Sequence, residues 1–375
     1  MGLLMVKTAN QSVPAGSQIA LLSLSHLSHP YGSFDHMASP ATAAEEENLP
    51  QVLLLLHPAA FTIFGEEHFT SAKFRFLKAY ESSLPLDEFL AANARSVRAL
   101  LVSAATVVGA GILDLLPELR VIVTTSAGLD QLDLAECRRR GIRIASAGDI
   151  YSADVADCAV GLLIDVLRKI SASNRYVKNG FWASKGDYPL GSKLCLFQLR
   201  GKRIGIVGLG RIGLQVAKRL QQGFGCTVSY NSRKKKNPDQ VPYPFYQDVR
   251  ELAANSDALI LCCGLTEQTR HAVDKEVLAA LGKAGVIVNV ARGAVVDEKE
   301  MVRCLVEGEI AGAGLDVFED EPVVPKELLE LDNVVLSPHS AVLTRESMME
   351  LARLVVGNLE AFFSNEPLLS EYEDD

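Results

Sequence analysis

Positive charge is in deficit, histidine is scarce and long apolar runs are missing, and each shortage excludes something. Against 46 acidic residues stand 37 basic ones, a formal net charge of −9. That balance argues against a protein that coats nucleic acid or clings to a membrane through a polybasic surface. No apolar run approaches the ~20 residues needed to cross a bilayer; the richest, 52–56, stops at His57 and Pro58. A soluble protein is expected. The seven cysteines, at 137, 158, 195, 226, 262, 263 and 304, include no C-x-x-C pair, and Cys262 and Cys263 sit inside an apolar run. Buried, reduced thiols in a reducing compartment suit that pattern better than a disulfide or zinc framework, so no metal is expected.

What the sequence has in quantity is apolar residue: 48% hydrophobic against 22% charged, enough to bury a large interior. At about 150 residues per domain, a chain of 375 residues predicts two domains. Residues 1–34 hold no Asp or Glu, several Ser and a single Lys, Lys7. This reads as a flexible extension over 1–48, with Met37 as a candidate internal start, on a cytoplasmic protein. Acid-poor, Ser-rich composition leaves a plastid transit peptide as the alternative, although such peptides usually carry more Arg.

From Val52 onward, short β-branched runs alternate with helical stretches. Strands are predicted over 52–56, 97–102, 121–126 and 142–147, with helices over 71–82 and 86–94. A long amphipathic helix follows, with Ser152 as N-cap, Asp154 in the first turn and apolar residues at helical spacing from Val155 to Ile170. Residues 171–200 break that periodicity and hold Gly180, Gly186, Pro189, Gly191 and the only tryptophan, Trp182. They predict a long loop of functional or interfacial character. A second series has strands at 203–207, 227–230, 258–262, 286–290, 312–317 and 334–336, with helices near 211–223, 274–282, 298–307 and 345–363. Such alternation predicts an α/β fold with parallel sheets covered on both faces.

Gly208, Leu209, Gly210, Arg211, Ile212 and Gly213 follow an apolar strand and open a helix, the context that gives a G-x-G-x-x-G spacing its meaning. The first glycine permits a tight turn, the second lets amides approach a pyrophosphate, and the third lets helix and strand pack closely. The helix N-terminus adds partial positive charge. The next strand discriminates between dinucleotides. An NAD site usually places an acidic residue about twenty positions on, against the ribose 2′-hydroxyl. Here the strand runs out through Ser229, Tyr230, Asn231, Ser232, Arg233, Lys234, Lys235 and Lys236, with no carboxylate. The hydroxyl, guanidinium and ammonium groups at Ser232, Arg233 and Lys234 suit a 2′-phosphate, so NADPH is expected over NADH. The alternative is a solvated basic loop.

Beyond His68 only His271 and His339 remain. His271 reads as a polar loop residue, whereas His339 follows a strand end at Ser337-Pro338, where ligands meet α/β sheets. Arg292 follows another strand end and is placed to grip a carboxylate and polarise a neighbouring carbonyl. Glu321 follows a third. A carboxylate beside an imidazole favours its charged form and fixes its orientation, as a proton donor near neutral pH requires.

On these segments, together with Thr125-Ser126-Ala127-Gly128-Leu129-Asp130 and residues 314–322, the chain resembles the D-isomer-specific 2-hydroxyacid dehydrogenases. The motifs arrive in the family's order across roughly residues 50 to 365. The resemblance implies two Rossmann-like or flavodoxin-like domains. A discontinuous substrate domain would comprise 49–150 plus 338–375, and a dinucleotide-binding domain 151–337, with the chemistry in the cleft between them. It implies Arg292 as substrate-orienting residue, His339 as proton donor and Glu321 as its partner, with amides of Ala127 and Gly128 on the substrate carboxylate. Val290 and Ala291 would lie against the cofactor, and Asp316 near the nicotinamide amide. Ser232-Arg233-Lys234 and the 127–129 loop look most like plant-type NADPH-dependent glyoxylate/hydroxypyruvate reductases. Hydroxyphenylpyruvate reductases and a non-catalytic dinucleotide-sensing corepressor of the same fold are the alternatives. Gln131 replaces a histidine common in the family. A homodimer is implied, in which the Trp182 loop reaches the partner's active site; a hydrophobic plug between domains is the other reading of Trp182.

Overall fold

The structure, a computed structural model, describes residues 48–186 and 197–373. The N-terminal extension up to residue 47, and Pro189, Gly191 and Cys195, lie outside the described residues. The first sheet contains β1 (Gln51–Leu54), β2 (Arg75–Lys78), β3 (Ala99–Val102), β4 (Val121–Thr124) and β5 (Arg143–Ala145), in the order β2-β1-β3-β4-β5. The second contains β6 (Arg203–Val207), β7 (Thr227–Asn231), β8 (Ala258–Leu261), β9 (Val286–Asn289), β10 (Gly312–Leu315) and β11 (Val334–Leu336), in the order β11-β10-β9-β8-β6-β7. Every pairing between these strands is parallel. Parallel strands with helical crossovers are covered on both faces, so β3, β4, β8 and β9 are almost unbroken apolar runs, buried throughout. The expected α/β architecture with two parallel sheets is the one observed.

Three local expectations are corrected. Segment 71–82 is not a helix: it supplies the edge strand β2, paired to β1, and then the single 3-10 turn Ala79–Glu81. Phe74 and Phe76 lie two residues apart with ring centroids 5.7 Å apart, the spacing of one strand face. Residues 171–186 are not a loop but mostly helix, Ile170–Lys178 and Phe181–Lys185, separated by a bend in which Gly180 adopts φ 72°. They are polar on average and little of them meets the core; Val177 is 52% exposed and Trp182 60%. Ser152 begins the long Ser152–Arg168 helix without capping it, the N-cap position being Tyr151. Asp154 does lie in the first turn, where it accepts from Thr344 Oγ1 at 2.5 Å and from Ser347 Oγ.

Those last two bonds tie the start of the Ser152–Arg168 helix to the start of the closing helix, Arg345–Phe363. The closing helix packs against β4 with Met348, Leu351, Val355, Leu359 and Phe362 buried. Beyond it Ser370 O accepts from Ser146 N at 3.2 Å, and Glu371 pairs with Arg143 at 2.6 Å. The segment after the closing helix therefore returns to the first sheet. One apolar cluster runs from Val52 and Leu54 through Leu163 of the long helix to Ile204 and Val288 of the second sheet.

Candidate active site

Strand ends supply the chemistry. After β9, Asn289 shapes the turn: its Nδ2 donates to Arg292 O at 3.0 Å and its Oδ1 accepts from Ala291 N at 3.0 Å. Arg292 thereby meets the loop that follows β4 in the other sheet. Its Nε and Nη2 donate to Asp130 at 3.3 and 3.1 Å, while Nη1 donates to Ala291 O at 2.9 Å. A Cβ on Gly128 would collide with Nη2, so the 127–130 loop lies directly against the guanidinium. The amides of Ala127 and Gly128 have no acceptor among the described residues.

After β10 comes Asp316, 1% exposed. Its carboxylate accepts from Ser340 N at 3.0 Å and Ala341 N at 3.2 Å, and its carbonyl from His339 N at 2.7 Å. Asp316, expected near the nicotinamide amide, is also a buried clamp on the loop after β11. That clamp holds His339 in the left-handed region at φ 52°. His339 Nδ1 lies 2.8 Å from Glu321 Oε2, and Glu321 Oε1 accepts from Phe318 N at 3.0 Å. Burial pushes the Glu321 carboxyl up. The bonds from His339 and Phe318, with the charges of His339 and Arg292, outweigh it and hold the group below the usual carboxylate range. The two side chains are 35% and 34% exposed, open enough to meet a small molecule.

The glycine turn after β6 behaves as its spacing requires. Gly208 has φ 94°, and a Cβ there would meet Cys263 N at 2.5 Å. A Cβ on Gly213 would collide with the Gly208 carbonyl oxygen. Gly210 differs: nothing lies within 4 Å of its Cβ position, so there is room over the turn beside the first amides of the Arg211–Lys218 helix. That is the space a pyrophosphate needs. Leu209, Val290 and Ala291 are buried, at 1%, 7% and 7% exposure. Arg211 is exposed and Ile212 half-buried. After β7, Arg233 and Lys234 are exposed, and Ser232 Oγ donates to Lys234 O at 2.7 Å.

His271 lies elsewhere, its Nε2 2.9 Å from Glu319 Oε1. Gln131 is buried, with Nε2 3.3 Å from Thr124 Oγ1. Asp130 and Asn289 were not singled out from sequence. Asp130 stands inside the 125–130 motif, but no local spacing reveals a partner 162 residues away.

Comparison with known proteins shows the family. Residues 160–341 match the family described as D-isomer specific 2-hydroxyacid dehydrogenase, NAD binding domain. A glyoxylate/hydroxypyruvate reductase of Arabidopsis thaliana is 52% identical over 88% of this chain and 99% of its own length. A hydroxyphenylpyruvate reductase of Plectranthus scutellarioides is 47% identical over 76% of this chain and 88% of its own. Among solved structures, the NADPH-dependent glyoxylate/hydroxypyruvate reductase of Sinorhizobium meliloti, in complex with NADP and malonate, superimposes with a TM-score of 0.75. Its sequence identity is 32%, over 86% of this chain and 96% of that one. With its motifs in order, its strand ends converging and a relative matched over nearly its whole length, the chain belongs to the D-isomer specific 2-hydroxyacid dehydrogenases.

Proposed function

We propose that this chain reduces small 2-oxo acids, glyoxylate and hydroxypyruvate foremost, to the D-2-hydroxy acids with NADPH. The observation that carries the reading is the His339 Nδ1–Glu321 Oε2 pair at 2.8 Å, beside an arginine that bridges to the 127–130 loop. Arg292 and the amides of Ala127 and Gly128 take the substrate carboxylate and align the ketone. Glu321 fixes the His339 ring through Nδ1, so His339 holds its proton at Nε2 and releases it to the ketone oxygen as charge grows there. Gly208, Leu209, Gly210, Arg211, Ile212 and Gly213 would hold the pyrophosphate, Ser232, Arg233 and Lys234 the 2′-phosphate, and the Val290 and Ala291 backbone the nicotinamide end. When bound, NADPH supplies the hydride.

The same reading assigns 49–150 plus 338–375 to a substrate domain and 151–337 to a dinucleotide domain. It includes a homodimer, supported by Ile170, Val177 and Trp182 at 52%, 52% and 60% exposure on consecutive helices; such exposure does not suit an interdomain plug. It also includes cytoplasmic residence, with the plastid as alternative. Among the described residues no helix is long and apolar enough to cross a membrane.

Steady-state rates of the purified protein with NADPH and NADH, on glyoxylate, hydroxypyruvate and hydroxyphenylpyruvate, test the proposal. Robust NADPH oxidation with either of the first two is expected. A higher kcat/KM with the aromatic acid would favour the reading suggested by the Plectranthus relative. Cofactor binding without turnover on any acid would point to a corepressor-type role.

A further inference from the structure

One ion pair joins loops from the two sheets. Asp130, in the loop after β4, meets Arg292, in the loop after β9, and the two side chains are 30% and 26% exposed. A guanidinium carries N–H donors on Nε, Nη1 and Nη2, with two on each terminal nitrogen. Asp130 takes the donor on Nε and one on Nη2; Ala291 O takes one on Nη1. One N–H on each terminal nitrogen is left, an unused fork whose spacing matches a carboxylate or an adjacent carboxylate and ketone. Asp130 therefore occupies the side of the guanidinium, and among the described residues no acceptor takes the remaining N–H groups at its end.

We infer that Asp130 is a positioning residue for substrate: it holds the side of Arg292 so that the end fork stays aimed at the 2-oxo acid, and it fastens the carboxylate-binding 127–128 loop to that same arginine. The two jobs are one contact, because a Cβ on Gly128 would collide with the very nitrogen, Nη2, that Asp130 holds. The Asn289 turn fixes the backbone at Ala291 and Arg292 and, through Ala291 O, one N–H of Nη1; Asp130 fixes the other side of the guanidinium, at Nε and Nη2. Among the described residues, Asp130 is the carboxylate hydrogen-bonded to that guanidinium. The opposite role, a gate that must be displaced before substrate binds, would require Asp130 to cover the end fork, and it does not.

This inference rests on the reductase reading for its substrate, and the two can fail separately. Wild-type turnover of hydroxypyruvate with NADPH tests the reading. Calorimetric binding of oxamate, a non-reducible 2-oxo acid mimic, to the full chain with NADPH tests Asp130 whether or not turnover occurs. Asp130→Ala is expected to weaken oxamate binding about 10-fold and to lower kcat/KM for hydroxypyruvate by about 10²-fold, as small misplacements of an orienting group do. The NADPH dissociation constant should stay within about two-fold. Asp130→Asn, which keeps an acceptor at the same place, should recover part of the loss. A double variant with Arg292→Ala should be no worse than Arg292→Ala alone, since Asp130 acts only through that arginine. Oxamate binding by Asp130→Ala that equals or exceeds wild type would overturn the inference, as would additive losses in the double variant. Should Asp130→Ala fail to fold, Asp130→Asn and Asp130→Ser carry the same comparison.

Discussion

At the scale of single residues, the imidazole, its carboxylate partner and the guanidinium of the site are each held by another group before any substrate arrives. Glu321 orients His339 through Nδ1 and is itself anchored by Phe318 N; Asp316 clamps the loop that carries the imidazole. Removing the ring should therefore abolish proton delivery without disturbing the dinucleotide turn. His339→Ala is expected to lower kcat by about 10²–10⁴-fold, the usual worth of a general acid, with NADPH affinity measured by fluorescence nearly unchanged. Glu321 also leaves a signature in stability. Its carboxyl is held below its ordinary range, so ionised Glu321 favours the folded state above the unfolded value of about 4.3. That contribution is lost as pH falls through the lowered folded value. Melting curves between pH 6 and pH 3 should show wild type losing more Tm than Glu321→Gln; parallel losses would remove Glu321 as a source of the acid sensitivity.

Elements place those residues, and here the sequence was unevenly legible. The turn at 208–213 was the most legible, since Gly208 and Gly213 stand where a Cβ would meet backbone and little but glycine fits there. Gly213→Ala puts a methyl group into the Gly208 carbonyl, so it should cost about 1–3 kcal/mol of stability, as overpacking does. It should also weaken NADPH binding at least several-fold by tilting the Arg211–Lys218 helix; titration calorimetry reads the second effect and urea denaturation the first. By contrast, 71–82 was misread because a strand at a sheet's edge owes its conformation to a neighbour, and β1 pairs with it from 24 residues earlier. The helices Ile170–Lys178 and Phe181–Lys185 were missed for the opposite reason. They are short and polar, interrupted by Gly180 and Gly186, and with almost nothing buried they lack the apolar run that marks a core helix.

At the scale of the whole molecule, each sheet keeps an apolar cluster of its own, while the long Ser152–Arg168 helix and the closing Arg345–Phe363 helix share a further one with both sheets. Leu163, fully buried within it, lies between the first sheet's core and the second's. Leu163→Ala should cost about 2–5 kcal/mol, the range for a buried leucine cavity, and should lower a single calorimetric transition rather than split it in two. The parallel α/β class, the glycine turn, the basic segment after β7 and the order of Arg292, Glu321 and His339 were all legible along the chain. Each is written in local covalent constraint, burial pattern or side-chain chemistry. Which groups touch was not. Asp130 on Arg292, Asp316 beneath His339 and the tail on β5 join residues far apart in sequence, and only closure of the two sheets around a shared core decides such distances.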